Sequence, residues 1–565
     1  TGIIVSNTVS DCTVNGCVYG KYSYVGGVVA VTAGTAKIQN CKIENGVVHT
    51  GFKNTSGGTR IGGIIGGSWV AAPEVTGCKA INSKILSNAT ICAAIVGVAN
   101  NGIVIKDCEV TDCFVDDTNE PENSAAKHEV AGILGWGKVS VDVSGCTVKN
   151  STMVGNAYCS MIVGYADAPL TKITNCTADN CELRAGQSLG GILGAATKHA
   201  EISGCEVTNC TIAGTGAYIA GIHGEAQAGT EISNCKVENT SLSQPAAKNF
   251  IGGINAYSKV GELKVTDCKV IDIDIFGGGQ GNGCVIGRSD FATIVKNCYV
   301  SGKIETATAG YNVGGIIGHI NSGANAVDLI IDNCAVEADI TGGYQVGGIC
   351  GLSAGTGTTP IIISNVSYVG KLSALSAPAN YPNANIAGIV GYANNASQNK
   401  PLYVVNAYAR PSQIDITSKV TGGSGAIGGL FGYAQWNVSA FIGYSDLVRG
   451  KIYKDGVQID GTQARVGGIA GVTCYTASAS YGTLLYKNLY YDSSIGFGPT
   501  NDGQGAPDEV DCEGITEAKF TDGTLLSNLN AAVTAYNASE SKVATAKAWV
   551  AGADGYPVIS GLPTK

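Results

Sequence analysis

Short apolar segments that carry a glycine doublet recur along the chain. Their pattern is apolar, Gly or Ala, Gly, apolar, any residue, Gly, as in the six residues that begin at Ile61. Their mean period of about 34 residues is typical of solenoids, propellers and other repeat arrays. Copies begin at Val25, Ile61, Val130, Leu189, Ile219, Ile251, Val313, Val346, Ile386, Ile427 and Val466, with degenerate copies at Cys92, Cys159 and Asn282.

A second motif lies between successive glycine segments: apolar, any residue, then Asn, Gly or Asp, then Cys, as in Ile232-Ser-Asn-Cys235. Asn, Gly and Asp are the residues that most readily adopt a left-handed backbone, so the motif predicts a tight bend. Apolar and polar residues alternate on both sides of it, which is typical of half-buried strands. Each repeat therefore predicts a strand, a bend, a strand, a variable turn and a glycine-rich strand. A helical repeat is rejected because glycine doublets destabilise helices.

These repeats predict an all-β fold, a parallel β-helix or β-solenoid of about 14 coils that spans residues 1–492. Residues 493–565 break the pattern and predict a small C-terminal capping region that contains a helix. Its apolar positions, from Leu525 through Leu529 and Val533 to Tyr536, share one helical face, and Thr521 or Asp522 is the expected N-cap. Two short apolar pieces, 548–550 and 556–559, are expected to help close the end of the array.

Composition narrows the classes of partner. The formal net charge of -9 is spread over 565 residues without a Lys/Arg run, which argues against a nucleic-acid partner. We find no apolar stretch of the ~20 residues that a membrane-spanning helix needs, so this segment is not expected to span a membrane. The first residues already belong to a repeat, and we expect a further N-terminal region upstream.

Most of the 21 cysteines occur once per repeat at one equivalent place. Val366 stands at that place in one repeat, which favours small inward-facing side chains that pack as a cysteine ladder over metal or disulfide chemistry. A second cysteine five residues later, at Cys181 and Cys210 among others, extends the pattern to the next strand. A disulfide between Cys181 and Cys210 is left open.

Metal and cofactor signals are weak. The acidic loop with Asp116, Asp117 and Glu120 supplies hard oxygen ligands for a structural Ca²⁺, although a solvated loop is the simpler interpretation. The five histidines are scattered without metal spacing, and we expect them at the surface. No phosphate loop or nucleophile elbow is found, so no other cofactor and no catalytic residue are predicted.

Aromatic residues follow several of the glycine-rich strands. Equivalent positions of a solenoid lie on one face, so these side chains predict a strip that contacts a glycan or a peptide. The alternative, favoured on the sequence alone, is that they fill space beside strands that lack side chains. The candidate ligand-binding residues are Trp136, Tyr165, Tyr257, Tyr392, Tyr433 and Trp436, with Arg288, His319 and Trp69 nearby.

The chain resembles the GLUG-motif repeat proteins, which are bacterial surface proteins common in gut Bacteroidetes. The resemblance rests on Val313-Gly-Gly-Ile-Ile-Gly318, on Asn297-Cys298-Tyr299-Val300 and on the ending Gly555-Tyr-Pro-Val558, and it extends over nearly the whole chain. It implies a β-helix-like fold, a bacterial, secreted or cell-surface location, and no catalytic residues. The cysteines depart from many relatives, which leaves the redox state open.

Two hypotheses for function follow. The first is a non-catalytic extracellular structural or adhesive protein, an adhesin, whose exposed face binds host or microbial glycans or extracellular proteins. The alternative is a carbohydrate-active β-helix enzyme, either a polysaccharide lyase or a glycoside hydrolase. A groove with two carboxylates from adjacent coils, separated by ~5–9.5 Å, would favour the enzyme.

Overall fold

The computed structural model describes residues 4–20, 23–50, 59–87, 91–117, 129–245, 248–306, 310–321, 328–355, 359–375, 384–394, 401–417, 425–435, 437–459, 465–474, 484–500 and 509–565. The chain divides into two compact units, residues 1–263 and residues 264–565. Each unit is built from coils whose equivalent strands pair in parallel and in register, and the two units are taken in turn.

One coil of the first unit shows how the repeat folds. Five short strands follow one another, and we call them the glycine-rich, post-glycine, pre-bend, post-bend and closing strands. In this coil they are Arg60–Gly62, Ile65–Ser68, Glu74–Thr76, Lys79–Ile81 and Lys84–Leu86. Ile61 pairs with Val25 of the preceding coil and with Cys92 of the following one, as the repeat alignment predicts.

The same order recurs through the first unit, with the post-glycine and pre-bend strands continuous in two coils. The glycine-rich strands are Tyr24–Gly26, Arg60–Gly62, Ile91–Ala93, Glu129–Ala131, Tyr158–Ser160, Ser188–Gly190, Ile219–Ala220 and Ile251–Gly252. The post-glycine strands are Ile4–Val5, Val29–Thr32, Ile65–Ser68, Val96–Ala99, Leu134–Ser144, Val163–Thr174, Leu193–Ala196, His223–Ala226 and Asn255–Ser258. The remaining pre-bend strands are Thr8–Ser10, Lys37–Gln39, Glu74–Thr76, Ile103–Lys106, His199–Ser203 and Thr230–Ser233.

The last two strands of each coil close the first unit on its other side. The post-bend strands are Thr13–Val14, Lys42–Glu44, Lys79–Ile81, Glu109–Thr111, Thr147–Lys149, Thr177–Asp179, Glu206–Thr208 and Lys236–Glu238. The closing strands are Cys17–Gly20, Val47–Thr50, Lys84–Leu86, Phe114–Asp116, Thr152–Val154, Glu182–Ala185, Thr211–Gly214 and Ser241–Gln244.

The glycine doublet forms a corner between two strands, where the sequence predicts one glycine-rich strand. A methyl group on Gly62 would overlap the carbonyl oxygen of Ile65 in the same corner. A methyl group on Gly63 would overlap the carbonyl oxygen of Ala94 in the next coil. Glycine is needed here because the chain turns sharply and because successive corners stack backbone on backbone.

The predicted bends are confirmed. Asn40, Asp107 and Asn175, each directly before a ladder cysteine, have φ of 53°. A second bend, five residues later, follows the same rule and was not predicted: Asn82 has φ 43° and Asn150 has φ 47°. Both bends use residues that tolerate the left-handed backbone, and together they give the coil its two outer corners.

The cysteines after the first bend point into the core, as predicted. In the first unit they are buried from Cys41 onward, and the Cys108 thiol donates to the carbonyl of Lys106 at 3.4 Å. In the second unit Cys334 pairs with Val366 on the neighbouring strand, which confirms that a branched apolar side chain substitutes for the thiol. The described cysteines with described side chains are free thiols, Cys181 and Cys210 included.

In the second unit the strands after the glycine corner fuse into longer ones. The glycine-rich strands are Gln280–Gly283, Tyr311–Gly314, Tyr344–Gly347, Asn385–Ala387, Ala426–Gly428 and Arg465–Gly467. The post-glycine strands are Ile286–Ser289, Ile317–Asn321, Cys350–Ala354, Val390–Asn394, Phe431–Gln435 and Ala470–Cys474. The remaining parallel strands are Leu263–Thr266, which begins at the last residue of the first unit, Lys269–Gly277, Thr293–Lys296, Tyr299–Glu305, Leu329–Gly342, Ile361–Ala374, Leu402–Ile416, Val438–Ser445, Ile452–Lys454, Leu485–Asp492 and Glu509–Ile515.

The C-terminal segment of the second unit contains the predicted helix. Helix α1 spans Glu517–Thr521 and helix α2 spans Thr524–Ala538. The N-cap of α2 is Gly523, so the expectation of Thr521 or Asp522 is wrong, although the Asp522 carboxylate accepts from the Thr524 N–H at 2.8 Å. Strands Trp549–Ala551 and Pro557–Ile559 form an antiparallel hairpin. The remaining short elements are the strand Val457–Gln458 and the 3-10 turns Arg449–Lys451 and Ser493–Ile495. The domain boundary after residue 492 stays a prediction.

This segment packs along the side of the coils, which the sequence did not predict. Its apolar residues, among them Phe520, Leu529 and Trp549, form one core cluster with Tyr408 and Tyr444 of the long strands. Farther back, Leu562 contacts the cluster of Ile271, Tyr299 and Ala335. The C-terminal Lys565 ammonium lies 2.7 Å from Asp272. The segment therefore runs back along the coils of the second unit, from the last coil to the coil that contains Asp272.

An asparagine ladder holds this segment in place. It consists of Asn297, Asn333, Asn365 and Asn406. The Asn333 amide donates to Asn297 Oδ1 and the Asn406 amide donates to Asn365 Oδ1, each at 2.8 Å. The Asn365 amide donates instead to Asp332 Oδ1, also at 2.8 Å. Asn365 and Asn406 also donate to the carbonyls of Thr545 and Lys547, at 2.9 Å and 3.0 Å. The same left-handed bends that shape the coils thus offer amide groups to the C-terminal segment.

Candidate ligand-binding face

Outward side chains of the post-glycine strands carry the predicted aromatic strip. Trp136 pairs in register with Tyr165 in the first unit, and Tyr392 pairs with Tyr433 in the second. Tyr257 occupies the same register position three coils after Tyr165, beyond Ala195 and Glu225. We call this surface of each unit the aromatic face. Trp436 lies outside the described residues.

The sequence reasoning missed a second row of rings on the same face. Tyr158, in the neighbouring glycine-rich strand, stacks on Tyr165 with ring centroids 4.7 Å apart. Tyr218 stacks on Phe250 at 5.6 Å, and both contact Tyr257. The signal was available, because each of these residues directly precedes the first residue of a glycine segment.

Burial divides the face into a packed part and an accessible part. Tyr158, Phe250 and Tyr257 are buried, so their rings pack against neighbouring side chains. Tyr165 is half-buried, and burial together with Asp167 raises the pKa of its phenol to about 12. Trp136 is also half-buried, whereas Trp69 is 58% exposed. The accessible rings of the first unit are therefore those of its earlier coils.

Trp69 belongs to a compact group at that end of the aromatic face. Its ring lies 5.8 Å from the ring of Tyr24, and the Arg60 guanidinium lies over Tyr24 at 5.1 Å. The Asn100 amide donates to the carbonyl of Ser68 at 3.0 Å and to the Tyr24 hydroxyl at 3.4 Å. Tyr24 is thereby held between a cation, an amide and an exposed indole.

A second cation lies on the next tryptophan. The Lys138 ammonium is 3.9 Å from the centroid of the Trp136 ring, and this ring is 5.7 Å from that of Tyr165. Burial and the neighbouring Arg60 lower the pKa of Lys138, outweighing the opposite influence of Asp167 and Glu129. The electrostatic environment of Lys138 is thus dominated by partial burial and a like charge.

The aromatic face of the second unit includes polar groups. His319 is buried next to Arg288 in the pairing register, and its Nδ1 lies 3.1 Å from the Gln280 amide. Burial lowers the pKa of His319 to about 3, and the Arg288 charge acts in the same direction. Arg288 is itself 2.6 Å from Asp290.

The expectation of surface histidines is therefore wrong for His319, and also for His223 of the first unit. His223 is fully buried in the core, where its Nδ1 lies 3.3 Å from the Asn255 amide, and burial lowers its pKa to about 3. Both residues lie on post-glycine strands, in which successive side chains are buried and not only every second one.

The first two residues of the acidic loop are buried. Asp116 and Asp117 are 7% and 3% exposed, so the solvated-loop interpretation is wrong for these two residues. Burial, and then the charges of Asp117 and Asp116, raise the pKa of the buried Cys92 thiol, which places both carboxylates near the core. Glu120 lies outside the described residues. Within the described part of the chain no group of three or more His, Cys, Asp or Glu residues forms a metal site, and calcium stays a prediction.

Two buried carboxylates lie on the aromatic face of the first unit. Glu225 Oε2 accepts from the Ser188 hydroxyl at 3.1 Å, and Glu129 is in the glycine-rich row two coils before Ser188. Glu129 and Glu225 thus belong to coils that are three apart, about 14 Å along the stack.

Comparison with known proteins agrees with this architecture. Residues 131–319 match the family model described as the right-handed β-helix region. The fold is a right-handed β-helix. The match supports a β-helix repeat protein without assigning it to the GLUG-motif proteins. No curated protein and no solved structure matches the chain.

No helix among the described residues is long and apolar enough to cross a membrane.

Proposed function

We propose that this β-helix is a non-catalytic, extracellular repeat protein of the bacterial surface whose aromatic face binds glycans. The observation that carries the proposal is the register of aromatic side chains within each unit, as in the pair Trp136–Tyr165 of the first unit and the pair Tyr392–Tyr433 of the second. The negative face of an aromatic ring attracts the C–H groups of a sugar ring, and the hydroxyls of Tyr and the N–H of Trp add polar contacts.

The coil spacing supports a chain-like ligand over a single small molecule. Equivalent residues of parallel strands repeat every ~4.8 Å, so paired rings offer successive platforms along one line. Each contact is shallow, and affinity comes from several contacts made together. A glycan chain with repeated rings fits this arrangement better than a globular protein, whose binding would need a broad apolar patch.

The two buried carboxylates of the aromatic face, Glu129 and Glu225, do not have the spacing of a glycosidase pair. Glycosidases place their two carboxyl groups ~5–9.5 Å apart, whereas the backbones of Glu129 and Glu225 are about 14 Å apart along the stack. The Glu225 carboxylate also accepts a hydrogen bond from Ser188. The surface location rests on the resemblance to GLUG-motif proteins.

Glycan arrays with the intact chain test the proposal. We expect binding to a subset of glycans that falls at least tenfold in a Tyr392→Ala/Tyr433→Ala variant. Phe276→Ala is the matched control, because this ring is 56% exposed on a different strand of the same unit. Unchanged binding by the double variant would overturn the assignment of the face. Release of reducing ends or unsaturated sugars from a bound glycan would instead favour the carbohydrate-active enzyme.

A further inference from the structure

Two cysteines of the first unit occupy one position on adjacent coils. Cys181 and Cys210 each directly precede the closing strand of their coil, and these two closing strands pair in register. Ser151 holds the position in the preceding coil, and Thr240 holds it in the following one. The two thiols are therefore neighbours in a row of side chains that has a hydroxyl group on either side of them.

We propose that Cys181 and Cys210 form an oxidation site, at which a peroxide joins the two side chains in a disulfide between adjacent coils. The structure shows the reduced state, in which both residues are free thiols. The proposal adds a covalent reaction of the coils and does not depend on glycan binding by the aromatic face.

The coil geometry brings the two side chains into contact. Equivalent residues of adjacent coils lie about 4.8 Å apart, which is within the ~4.4–6.8 Å that separates the Cα atoms of a disulfide. The Cys210 Sγ accepts a hydrogen bond from the backbone N–H of Cys181 at 3.4 Å, so it lies against the backbone of its partner. The two thiols also hydrogen-bond to each other. A disulfide needs only a rotation of the side chains, because the backbone spacing already suits it.

Contact between the thiols also favours the thiolate, which is the form that reacts with an oxidant. The hydrogen bond from Cys210 lowers the pKa of Cys181, against the opposite effect of burial. Cys113 occupies the equivalent position of an earlier coil, between Ser83 and Ser151, and burial raises its pKa to about 11. The Cys181 thiol therefore loses its proton more readily than the Cys113 thiol does.

Location distinguishes this pair from the cysteine ladder. In the same two coils the ladder thiols of Cys176 and Cys205 are completely buried, and each has a thiol neighbour on both sides. Cys181 and Cys210 have one thiol neighbour each, and the residues directly before them are exposed asparagines of the second bend. The pair therefore has a defined partner, and the path of a small oxidant from solvent to the pair is short.

The reaction balances with one molecule of hydrogen peroxide. The Cys181 thiolate attacks a peroxide oxygen and breaks the O–O bond, which gives a sulfenic acid and a hydroxide that takes the proton released by the thiol. The Cys210 sulfur then attacks the sulfenic sulfur and expels hydroxide, which takes the Cys210 proton and leaves as water. The two sulfurs lose two electrons in total, and the peroxide is reduced to two molecules of water.

Peptide mapping of the full-length chain after treatment with limiting hydrogen peroxide tests the proposal. Cleavage before Asp179 and after Glu206 separates the pair from Cys176 and Cys205, so a cross-linked peptide identifies its own cysteines. We expect the pair to cross-link at least tenfold faster than Cys113 is oxidised, because Cys113 is also buried but has a serine on either side.

Two variants locate the reaction. Cys210→Ser removes the partner thiol but keeps a side chain that accepts the same backbone hydrogen bond, as Ser151 does from the Cys113 N–H at 3.0 Å. This variant should fold and form no cross-link. Cys113→Ser is the matched control and should cross-link as fast as the native chain. In the native chain and in the control, the cross-link should raise the melting temperature, and a thiol reductant should reverse the rise.

Each outcome decides the proposal. A cross-link between Cys181 and Cys210 that is absent from the Cys210→Ser variant supports the oxidation site. A cross-link within the cysteine ladder in its place, sulfinic acid at Cys181, or an equal rate of oxidation at Cys113 overturns it. Reduced thiols at the pair, in a sample in which the exposed Cys17 is oxidised, overturn it as well.

Discussion

The backbone N–H of Lys547 donates to the Oδ1 of Asn365 at 2.9 Å, although 182 residues separate them in the sequence. The Lys547 ammonium also reaches Asn333 Oδ1, at 2.6 Å. One residue of the C-terminal segment thus contacts two successive amides of the asparagine ladder. Asn at these bends combines a left-handed backbone with an amide that reaches the C-terminal segment.

Removing two amides of the ladder should loosen the C-terminal segment. We expect Asn365→Ala/Asn406→Ala to lower the free energy of unfolding by about 3 to 4 kcal/mol, because hydrogen bonds are lost and Ala disfavours the left-handed backbone. Urea denaturation measures the change, and limited proteolysis detects release of the segment.

Asn365→Gly/Asn406→Gly separates the two causes, since Gly keeps the backbone relaxed and removes the same amides. Asn234→Ala, at an equivalent bend of the first unit, should cost only the backbone part, about 1 kcal/mol. A segment that stays as protease-resistant in the Ala variant as in the native chain would contradict the role of the ladder.

The glycine corner should not accept a methyl group. We expect Gly62→Ala to destabilise the first unit by about 3 kcal/mol, because the new Cβ meets the carbonyl of Ile65 and the backbone of the next coil. Circular dichroism during thermal unfolding measures the loss. Gly450→Ala is the control, since nothing lies within 4 Å of a methyl group there. Equal melting temperatures for the two variants would show that the corner relaxes freely.

Stability should fall in alkaline solution because of buried thiols. Burial raises the pKa of Cys113 to about 11 from an ordinary 9.0. Between pH 9 and pH 11 the Cys113 thiol is deprotonated in the unfolded chain but still protonated in the folded one, which favours unfolding. The contribution of this thiol to stability is therefore complete below pH 9 and is lost as the pH rises through 11. The loss from Cys113 amounts to about 3 kcal/mol, since one pKa unit corresponds to about 1.4 kcal/mol.

Cys113→Ser is the matched variant, because Ser83 and Ser151 occupy the equivalent position in the two adjacent coils. We expect this variant to fold and to show a smaller decline in unfolding free energy from pH 8 to pH 11. An identical pH profile for the variant and the native chain would contradict the prediction.

The buried histidines should make the protein acid-sensitive. Burial lowers the pKa of His223 and His319 to about 3, while the unfolded chain binds the proton near pH 6.5. The neutral rings therefore contribute stability above pH 6.5 that is lost as the pH falls toward 3, on the order of a few kcal/mol for each ring. His223→Gln/His319→Gln should flatten the decline in unfolding free energy between pH 7 and pH 4.

Much of the fold could be predicted from the sequence because each coil repeats the same local chemistry. The fourteen starts of the glycine segment, from Val25 to Val466, fall at one register position within each unit of the described chain. Asn before Cys predicts the first bend, since few residues accept its backbone. The second bend was missed because serine, threonine and cysteine alternate after it, as at Ser83 and Cys113.

The lateral packing of the C-terminal segment could also have been read from the sequence. The first outward residue after the bend is Lys, Glu or Thr throughout the first unit, whereas several bends of the second unit carry Tyr there, among them Tyr299, Tyr408 and Tyr444. These tyrosines mark part of the surface that the segment covers.

The candidate site was predicted only in part. The register of Trp136 with Tyr165 follows from the repeat, whereas the ring of Tyr257 packs against Tyr218 and Phe250, which precede the glycine-rich strands of two coils. The contacts of Arg60 with the Tyr24 ring and of Lys138 with the Trp136 ring were not predicted, because they depend on where long side chains lie on the surface. Repetition predicts which residues share a position, but not which neighbours surround them.

The C-terminal segment also sets the number of coils beneath it. Its contacts begin near Tyr490 and end where Lys565 meets Asp272, so one extra coil inserted under it would move its far anchor by about 4.8 Å and break the last contacts. An extra coil among those of the first unit would disturb none of them. The C-terminal segment therefore fixes the number of coils that it covers in the second unit, whereas duplication of a repeat can lengthen the first unit without breaking these contacts.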